Sequence, residues 1–256
     1  MQQPVYLCDG IRTPFGRYKG GLSAIRTDDL AALPLRHLLA KYPQLAGHID
    51  EVILGCANQS GEDNRNVARM ATLLAGLPES TPAVTVNRLC ASGLEAIGQG
   101  ARAIALGEAD IILAGGVESM SRAPYVMAKA LEGFERTQQL EDSTLGWRMI
   151  NPKMREAYGV DSMAQTAENL AEQFGISRSD QDAFAWRSQQ RAATAIADGR
   201  LDGEILSAGA LTHDEHPRAD TTLEKLAALK PITHAGGSIT AGNASGLNDG
   251  STALLL

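Results

Sequence analysis

The sequence has no cluster of basic residues and no long apolar run. Its 23 Lys and Arg residues are outnumbered by 30 Asp and Glu residues, giving a formal net charge of −7, and no basic patch could follow a phosphate backbone. No window reaches the roughly 18 apolar residues of a membrane span, and no basic region followed by an apolar stretch opens the sequence. We therefore expect a soluble, cytoplasmic protein without nucleic-acid or membrane partners.

Cysteine is also scarce. The three cysteines, Cys8, Cys56 and Cys90, share no C-x-x-C spacing, which argues against a disulfide framework and against a zinc site. Cys8 in VYLC and Cys56 in EVILGC follow apolar, strand-like residues, so both are predicted to be small buried hydrophobes. The segment HDEH, His213–His216, is interpreted as an exposed, flexible acidic loop, and no metal site is expected.

Strand-like and helix-like segments alternate along the first half of the chain. Apolar runs predict strands at 4–9, 51–57, 82–89 and 110–116, and helical periodicity predicts helices at 27–41, at 66–76 and after Cys90. This order predicts an α/β fold with a parallel or mixed sheet covered by helices, because parallel neighbours need crossover connections. Pro34 lies inside the first predicted helix and should kink it or delay its start.

The character of the sequence changes near Pro124. Residues 125–217 are more polar, with few strand signals and two predicted helices at 163–175 and 177–199; Ser179 precedes the acidic first turn of the second. We expect a core domain formed by 1–124 plus 238–256 and an inserted, mostly helical domain at 125–237. The last residues resemble an apolar strand, so the chain is expected to be part of a longer protein.

Cys90 stands at a distinctive junction. The strand-like run AVTVNRL leads into Cys90, two small residues and Gly93 follow, and a helix with one apolar stripe comes next. The N-terminus of a helix favours an anion, and therefore the thiolate form of a cysteine placed there. From the residues alone, two interpretations stay open: an activated nucleophile on a strand-to-helix turn, or an ordinary packing residue.

Two glycine-containing segments have the same ambiguity. AGGVESMSRAP, 114–124, and TAGNASGLNDG, 240–250, could bring the backbone close to a ligand, or they could be plain turns. GQGARA, 98–103, fits a loose dinucleotide-binding pattern, but it falls inside the helix after Cys90 and lacks the strand-to-helix context.

Taken together, the motifs resemble the thiolase family. VNRLCASG, GGVESMSRAP and TAGNASGLNDGS carry the resemblance, and CDGIRTPFGRY, GCANQSGEDNRNVARMATLLAGLP and YGVDSMAQTAENLA are similar to the branch that acts on 3-oxoadipyl-CoA, in aromatic compound catabolism. The resemblance covers nearly the whole chain. It implies one half of the layered αβαβα thiolase fold, with an inserted, mostly helical loop domain.

The resemblance also implies an activity and a set of residues. In such acyltransferases the thiolate, here Cys90, cleaves a 3-oxoacyl-CoA with coenzyme A to acetyl-CoA and a shortened acyl-CoA. Met163 is implied beside the pantetheine and acyl tunnel, Arg218 near the adenine nucleotide, and Ala241 and Ser245 along the pantetheine. Coenzyme A is a substrate, no permanently bound cofactor or metal is implied, and a homodimer or homotetramer is expected, with AVTVNRL near the subunit interface.

The sequence departs from the family pattern in one large respect. The N-E-A-F segment, the G-H-P histidine and the C-x-G cysteine of the second thiolase half are not found in it. We therefore expect the chain alone to be weakly active or inactive. Two alternatives remain: a non-catalytic half-domain that binds coenzyme A, and a condensing enzyme like the ketoacyl synthases, which would accept acyl carrier protein.

Overall fold

Two packing units make up the chain in the computed structural model, which describes residues 4–130 and 132–256. The first, the sheet unit, comprises the residues up to Pro124, Gly203–Glu215 and Leu247–Leu256. The second, the helical unit, comprises Tyr125–Asp202 and His216–Gly246. The expected division was 1–124 plus 238–256 and 125–237. The structural units agree with it at Pro124 but differ later in the chain, where 203–215 joins the sheet unit and the last part of that unit begins at Leu247. As boundaries of a family domain, the expected limits stay a prediction.

The described residues form eight strands and seven α-helices. The strands are β1 (Asp9–Arg12), β2 (Gly16–Arg17), β3 (Glu51–Gly55), β4 (Ala83–Val86), β5 (Ile112–Ser119), β6 (Tyr125–Met127), β7 (Leu140–Asp142) and β8 (Asn248–Leu255). The helices are α1 (Thr27–Lys41), α2 (Val67–Ala75), α3 (Ser92–Leu106), α4 (Pro152–Tyr158), α5 (Met163–Phe174), α6 (Arg178–Ala197) and α7 (Leu223–Ala227).

A mixed sheet forms the centre of the sheet unit. Its strand order is β1-β8-β5-β3-β4, and β2 pairs with β8 beside β1. β3 runs parallel to β4 and β5, whereas β8 runs antiparallel to β1, β2 and β5. The predicted α/β class with a mixed sheet is therefore confirmed.

Helices cover both faces of this sheet. Because successive side chains of a strand point to opposite faces, Val52 and Leu54 join the core under α1 and α2, whereas Ile53 joins the smaller core under α3. Ala96 and Ile104 contribute the apolar stripe of α3 to that second core. The carboxyl ends of β3, β4 and β5 consequently meet along one edge, next to the start of α3.

Some sequence-based boundaries are right and others are wrong; β4 ends at Val86 rather than at residue 89, and β5 spans Ile112–Ser119 rather than 110–116. Helix α1 spans the predicted residues and continues through the buried Pro34, so the predicted late start is wrong. The first strand begins at Asp9 and not at Pro4; before it, the Cys8 N–H donates to the Leu255 carbonyl oxygen of β8 at 2.9 Å. Cys8 is exposed, which corrects its predicted burial.

Serine side chains cap the N-termini of two helices in the helical unit. Ser162 accepts a hydrogen bond from the Gln165 N–H at the start of α5, and Ser177, not the predicted Ser179, caps α6 through the Asp180 N–H. The short hairpin β6–β7 had no clear sequence signal.

No helix among the described residues is long and apolar enough to cross a membrane.

Two residues of the HDEH segment, Asp214 and Glu215, are held by hydrogen bonds within the sheet unit, whereas a flexible loop was predicted. The Asp214 carboxylate accepts hydrogen bonds from the Arg12 guanidinium at 2.8 and 3.1 Å and from the Phe15 N–H at 2.7 Å. Glu215 accepts from the backbone N–H groups of Arg17 and Gly21. The local sequence could not reveal these contacts, because the partners lie about 200 residues earlier in the chain.

Candidate active site

Cys90 lies on the turn between β4 and α3. β4 ends at Val86, α3 begins at Ser92, and the Cys90 side chain is exposed to solvent. Ala91 occupies the N-cap position of the helix, so the thiol stands one residue before the cap, where the positive end of the helix dipole favours an anion. A nucleophile in this position is both reachable and electrostatically supported.

Three hydrogen bonds fix the shape of this turn. The Asn87 side chain accepts from the Leu89 N–H at 2.9 Å, and the Ser92 hydroxyl oxygen accepts from the Arg88 N–H at 2.8 Å. The Ser92 hydroxyl also donates to the Leu89 carbonyl oxygen at 2.5 Å. Leu89 has a φ of +51°, a left-handed conformation that is uncommon for residues other than glycine. The side chains of Asn87 and Ser92 therefore stabilise a strained backbone directly before the thiol.

Close packing behind the turn depends on Gly55, the last residue of β3. A Cβ atom at this position would overlap the Ser92 carbonyl group and would lie 2.5 Å from the Gly93 nitrogen. Only a glycine lets the first turn of α3 approach β3 this closely. Gly55 consequently lets the start of α3, two residues after Cys90, lie against the end of β3.

Glu118 of β5 organises the loop beside the Cys90 turn. Its carboxylate accepts hydrogen bonds from the backbone N–H groups of Ala57 at 2.8 Å and Asn58 at 3.1 Å. The Asn87 amide donates to the Ala57 carbonyl oxygen at 3.0 Å. One network therefore ties the ends of β3, β4 and β5 together, which is the edge where α/β sheets usually bind ligands.

Cys56 has the opposite surroundings to Cys90, and its predicted burial is confirmed. Desolvation by burial, reinforced by the nearby Glu118 and Asp63 carboxylates, raises the pKa of the Cys56 thiol to about 12. The three side chains place their ligand-type atoms within 4.8 Å of one another. Both carboxylates already accept backbone N–H groups of the loop, so this cluster stabilises the loop and keeps Cys56 as a neutral thiol.

The four residues implied in coenzyme A binding lie in the helical unit, and all four are exposed. Met163 is the first residue of α5, with 65% of its surface accessible. Ala241 and Ser245 lie on the turn that precedes β8, and Arg218 lies in the segment before α7, where its N–H donates to the Gln189 side chain at 2.7 Å. Cys90 itself belongs to the sheet unit.

Sequence reasoning missed the residues that hold these segments in shape. Asn87, Ser92 and Gly55 shape the Cys90 turn, and Asn243 anchors the segment that carries Ala241 and Ser245. Only Ser92 gave a local signal, because a serine at the start of a helical run is a common cap-forming residue. The others act through contacts far away in sequence.

Comparison with known proteins identifies the family. The model of the thiolase N-terminal domain matches residues 5–256. The chain is 58% identical over 265 residues to the beta-ketoadipyl-CoA thiolase of Pseudomonas aeruginosa, covering 100% of this chain and 66% of the relative. It is 59% identical over 261 residues to the 3-oxoadipyl-CoA/3-oxo-5,6-dehydrosuberyl-CoA thiolase of Escherichia coli, covering 98% of this chain and 65% of the relative.

Solved structures agree with this assignment. Human mitochondrial 3-ketoacyl-CoA thiolase in complex with CoA has a TM-score of 0.86 at 38% identity, covering 96% of this chain and 62% of that one. The acetyl-CoA acetyltransferase of Bacillus anthracis has a TM-score of 0.84 at 38% identity, covering 96% and 63%. The chain thus spans about two thirds of the length of these relatives. On sequence and fold alike, it belongs to the thiolase family and contains that family's N-terminal domain.

Proposed function

We propose that this chain supplies the nucleophile of a thiolase reaction, with Cys90 as the residue that becomes acylated. The observation that carries the proposal is the exposed Cys90 thiol before the N-terminus of α3, on a turn held by three hydrogen bonds. A thiolate is suited to this task, because it both forms and releases a thioester readily.

The first half-reaction cleaves a carbon–carbon bond. The Cys90 thiolate attacks the 3-oxo carbon of a 3-oxoacyl-CoA, and the bond between carbons 2 and 3 breaks. The electron pair of that bond stays on carbon 2, which takes up a proton and leaves as acetyl-CoA. The shortened acyl group remains on the Cys90 sulfur as a thioester. The Cys90 backbone N–H, just before α3, can donate to the oxyanion formed on the attacked carbonyl.

The second half-reaction returns the cysteine to its starting state. The thiol of a second coenzyme A loses its proton and attacks the acyl-cysteine, the bond to the Cys90 sulfur breaks, and the shortened acyl-CoA departs. Cys56 takes no part in either step, since its buried, neutral thiol is unsuited to attack.

Residues of the helical unit are proposed to bind the coenzyme A arm. The exposed Arg218 guanidinium can pair with a phosphate of the adenine nucleotide. Ala241 and Ser245 can line the pantetheine, with the Ser245 hydroxyl as a hydrogen-bonding group. Met163, exposed at the start of α5, can contact the pantetheine or the acyl chain with its flexible apolar side chain.

The proposed substrate is 3-oxoadipyl-CoA, in aromatic compound catabolism. The relatives at 58% and 59% identity are named for that substrate, and the similarity covers all or nearly all of this chain. A homodimer or homotetramer is also proposed. β4 supports it, because within the described residues this strand pairs with β3 alone and leaves one edge unpaired, which a second copy can cover.

A single-turnover assay tests the proposed function. The chain is mixed with 3-oxoadipyl-CoA, acetoacetyl-CoA or an acetoacetyl carrier protein, and released acetyl-CoA is quantified. Because the G-H-P histidine is not in the sequence, we expect slow release of at most about one equivalent of acetyl-CoA per chain from 3-oxoadipyl-CoA, less from acetoacetyl-CoA, and none from Cys90→Ala. Binding of coenzyme A without any release would favour the non-catalytic alternative, and reaction of the carrier-protein thioester alone would favour a condensing enzyme.

A further inference from the structure

Glu168 is a buried carboxylate in the middle of α5, and a single segment of the chain surrounds it. Only 4% of its surface is accessible. It accepts hydrogen bonds from the Ser238 N–H and hydroxyl, both at 2.6 Å, from the Thr233 hydroxyl at 2.8 Å and from the Ile239 N–H at 3.1 Å. All four donors belong to residues 233–239, about 70 residues later in the chain.

The environment of this carboxylate strongly favours its charged form. Burial alone would raise the pKa of Glu168, but the hydrogen bonds from Ser238, Thr233 and Ile239 outweigh it and lower the pKa to about 2. Each carboxylate oxygen accepts from one backbone N–H, that of Ser238 or that of Ile239, so an amide in its place would set its NH2 group against one of these two donors.

The anchored segment leads directly into the turn that carries Ala241 and Ser245. Asn243 completes the attachment of this turn: its side-chain oxygen accepts from the Thr240 N–H at 2.7 Å, and its amide donates to the Asp182 carboxylate and the Ser238 carbonyl, each at 3.1 Å. The turn is therefore fixed from both sides of Thr240, while the side chains of Ala241 and Ser245 remain exposed.

Close packing at Gly237 shows how tightly the segment follows the carboxylate. A Cβ atom at this position would lie 2.5 Å from the Thr233 hydroxyl and 2.9 Å from a Glu168 carboxylate oxygen. Such distances are too short for real contacts, so the backbone approaches Glu168 as closely as a glycine allows. α5 also begins with Met163, so Glu168 links the helix that carries one proposed coenzyme A contact to the turn that carries two others.

We propose that Glu168 is a positioning residue for coenzyme A: its charged carboxylate holds residues 240–245 in the conformation that binds the pantetheine. The inference rests on the proposed function, since Ala241 and Ser245 are proposed contacts. Glu168 acts only through the segment that it anchors. Its replacement should loosen that segment and weaken coenzyme A binding, while the helices of the same unit stay folded.

The test compares Glu168→Gln with Glu172→Gln in the 256-residue chain. Glu172 lies one turn later on α5 and is exposed, so its replacement removes the same charge from the same helix without touching the segment. Amide hydrogen exchange is measured for 233–245 and for α5 and α6, and coenzyme A affinity is measured by calorimetry. For Glu168→Gln we expect exchange in 233–245 and the Kd for coenzyme A to rise at least about tenfold, with the helices unchanged and Glu172→Gln like the wild type.

Two results would overturn the inference: unchanged exchange in 233–245, or faster exchange there with an unchanged Kd. If the wild-type chain bound no coenzyme A, the proposed function would fail first, and this inference would fall with it. Should Glu168→Gln not fold, Ser238→Ala decides in its place, because it removes one of the four donors. Its Kd and its exchange in 233–245 should rise about threefold, and wild-type values for both would count against the role of Glu168.

Discussion

At the scale of single residues, the three cysteines show how surroundings decide chemistry. Cys56 is enclosed beside two carboxylates, and its raised pKa keeps it a neutral thiol. Cys8 and Cys90 are both exposed, but only Cys90 precedes the N-terminus of a helix of the sheet unit. Solvent access and the helix dipole therefore coincide at one of the three thiols.

Gly55→Ala tests how closely β3 and α3 must pack behind Cys90. The added methyl group would overlap the backbone of Ser92, so we expect a loss of about 1–3 kcal/mol in the free energy of unfolding and slower acylation of Cys90. Urea denaturation and reaction with acetyl-CoA measure the two effects.

Gly47→Ala is the matched control for this substitution. A Cβ atom at Gly47 meets nothing within 4 Å, so its effect on stability should stay within about 0.5 kcal/mol. Equal stability of the two variants would contradict the packing described for Gly55.

The position of Cys90 could be predicted from the sequence, because an apolar run, a thiol, small residues and a helical stripe stand side by side in the chain. The exposure of Cys8 could not. Its apolar neighbours resemble a strand, and the Cys8 N–H does bond to the Leu255 carbonyl oxygen of β8, but the strand itself begins at Asp9 and the Cys8 side chain faces solvent. Glu168 was equally hidden, because a single glutamate in a helix gives no sign of four donors about 70 residues away.

At the scale of elements, one asparagine joins α2 to the edge strand β4. Asn66 caps α2 by accepting from the Arg69 N–H, accepts from the Thr85 hydroxyl at 2.7 Å, and donates to the Ala83 carbonyl oxygen at 2.9 Å. Its φ of +67° is left-handed, a conformation that asparagine tolerates better than most residues. The start of α2 and the strand leading to Cys90 are therefore fixed by the same side chain.

Asn66→Ala should destabilise the chain more than the loss of an ordinary cap. Loss of the cap costs about 1 kcal/mol, and alanine in the left-handed region adds about 1–2 kcal/mol, so thermal or urea unfolding should show a loss of about 2–3 kcal/mol.

Asn151→Ala provides the comparison. Asn151 caps α4 with a φ of −66°, so its replacement removes a cap without backbone strain and should cost about 1 kcal/mol. A smaller loss for Asn66→Ala than for Asn151→Ala would contradict the link between α2 and β4.

Elements with a strong period or clear end signals were predicted well, among them α1, α2, α5 and β3. Their apolar residues lie on one face or in one short run, and these are the residues that the structure buries in the core. The hairpin β6–β7 was missed because its strands have three residues each, too few for an alternating pattern. The sequence offers two serines, Ser177 and Ser179, as the N-cap residue of α6. The extended backbone conformation at Ser177 identifies it as the cap.

At the scale of the whole molecule, the assignment of segment 203–215 to the sheet unit is the main feature that the sequence did not reveal. Arg12 holds both ends of the segment, through Glu204 at 2.8 Å and Asp214 at 2.8 Å. Ala208 and Leu211 add buried apolar contacts between these ends. The local sequence of this segment gives no signal of such burial, since its partners lie about 200 residues away.

Asp214→Asn should release this segment. Burial alone would raise the pKa of Asp214, but Arg12 and the Phe15 N–H lower it overall, so the carboxylate is charged and paired in the folded chain. With side chains only 14% and 10% accessible, loss of the pair should cost about 2–4 kcal/mol and increase proteolysis within 203–215. Glu204→Gln is the control: Glu204 is 48% accessible, so its effect should stay within about 1 kcal/mol. Equal resistance of both variants to proteolysis would contradict this account.

The central claim concerns Cys90, and intact mass spectrometry with peptide mapping after exposure to acetyl-CoA tests it most directly. Cys8 serves as an internal control, since it is also exposed but has no helix N-terminus beside it. We predict one acetyl group per chain, on the peptide that contains Cys90, and none in Cys90→Ala. Acetyl groups carried equally on Cys8 and Cys90, or on Cys8 alone, would contradict the assignment of Cys90 as the activated nucleophile.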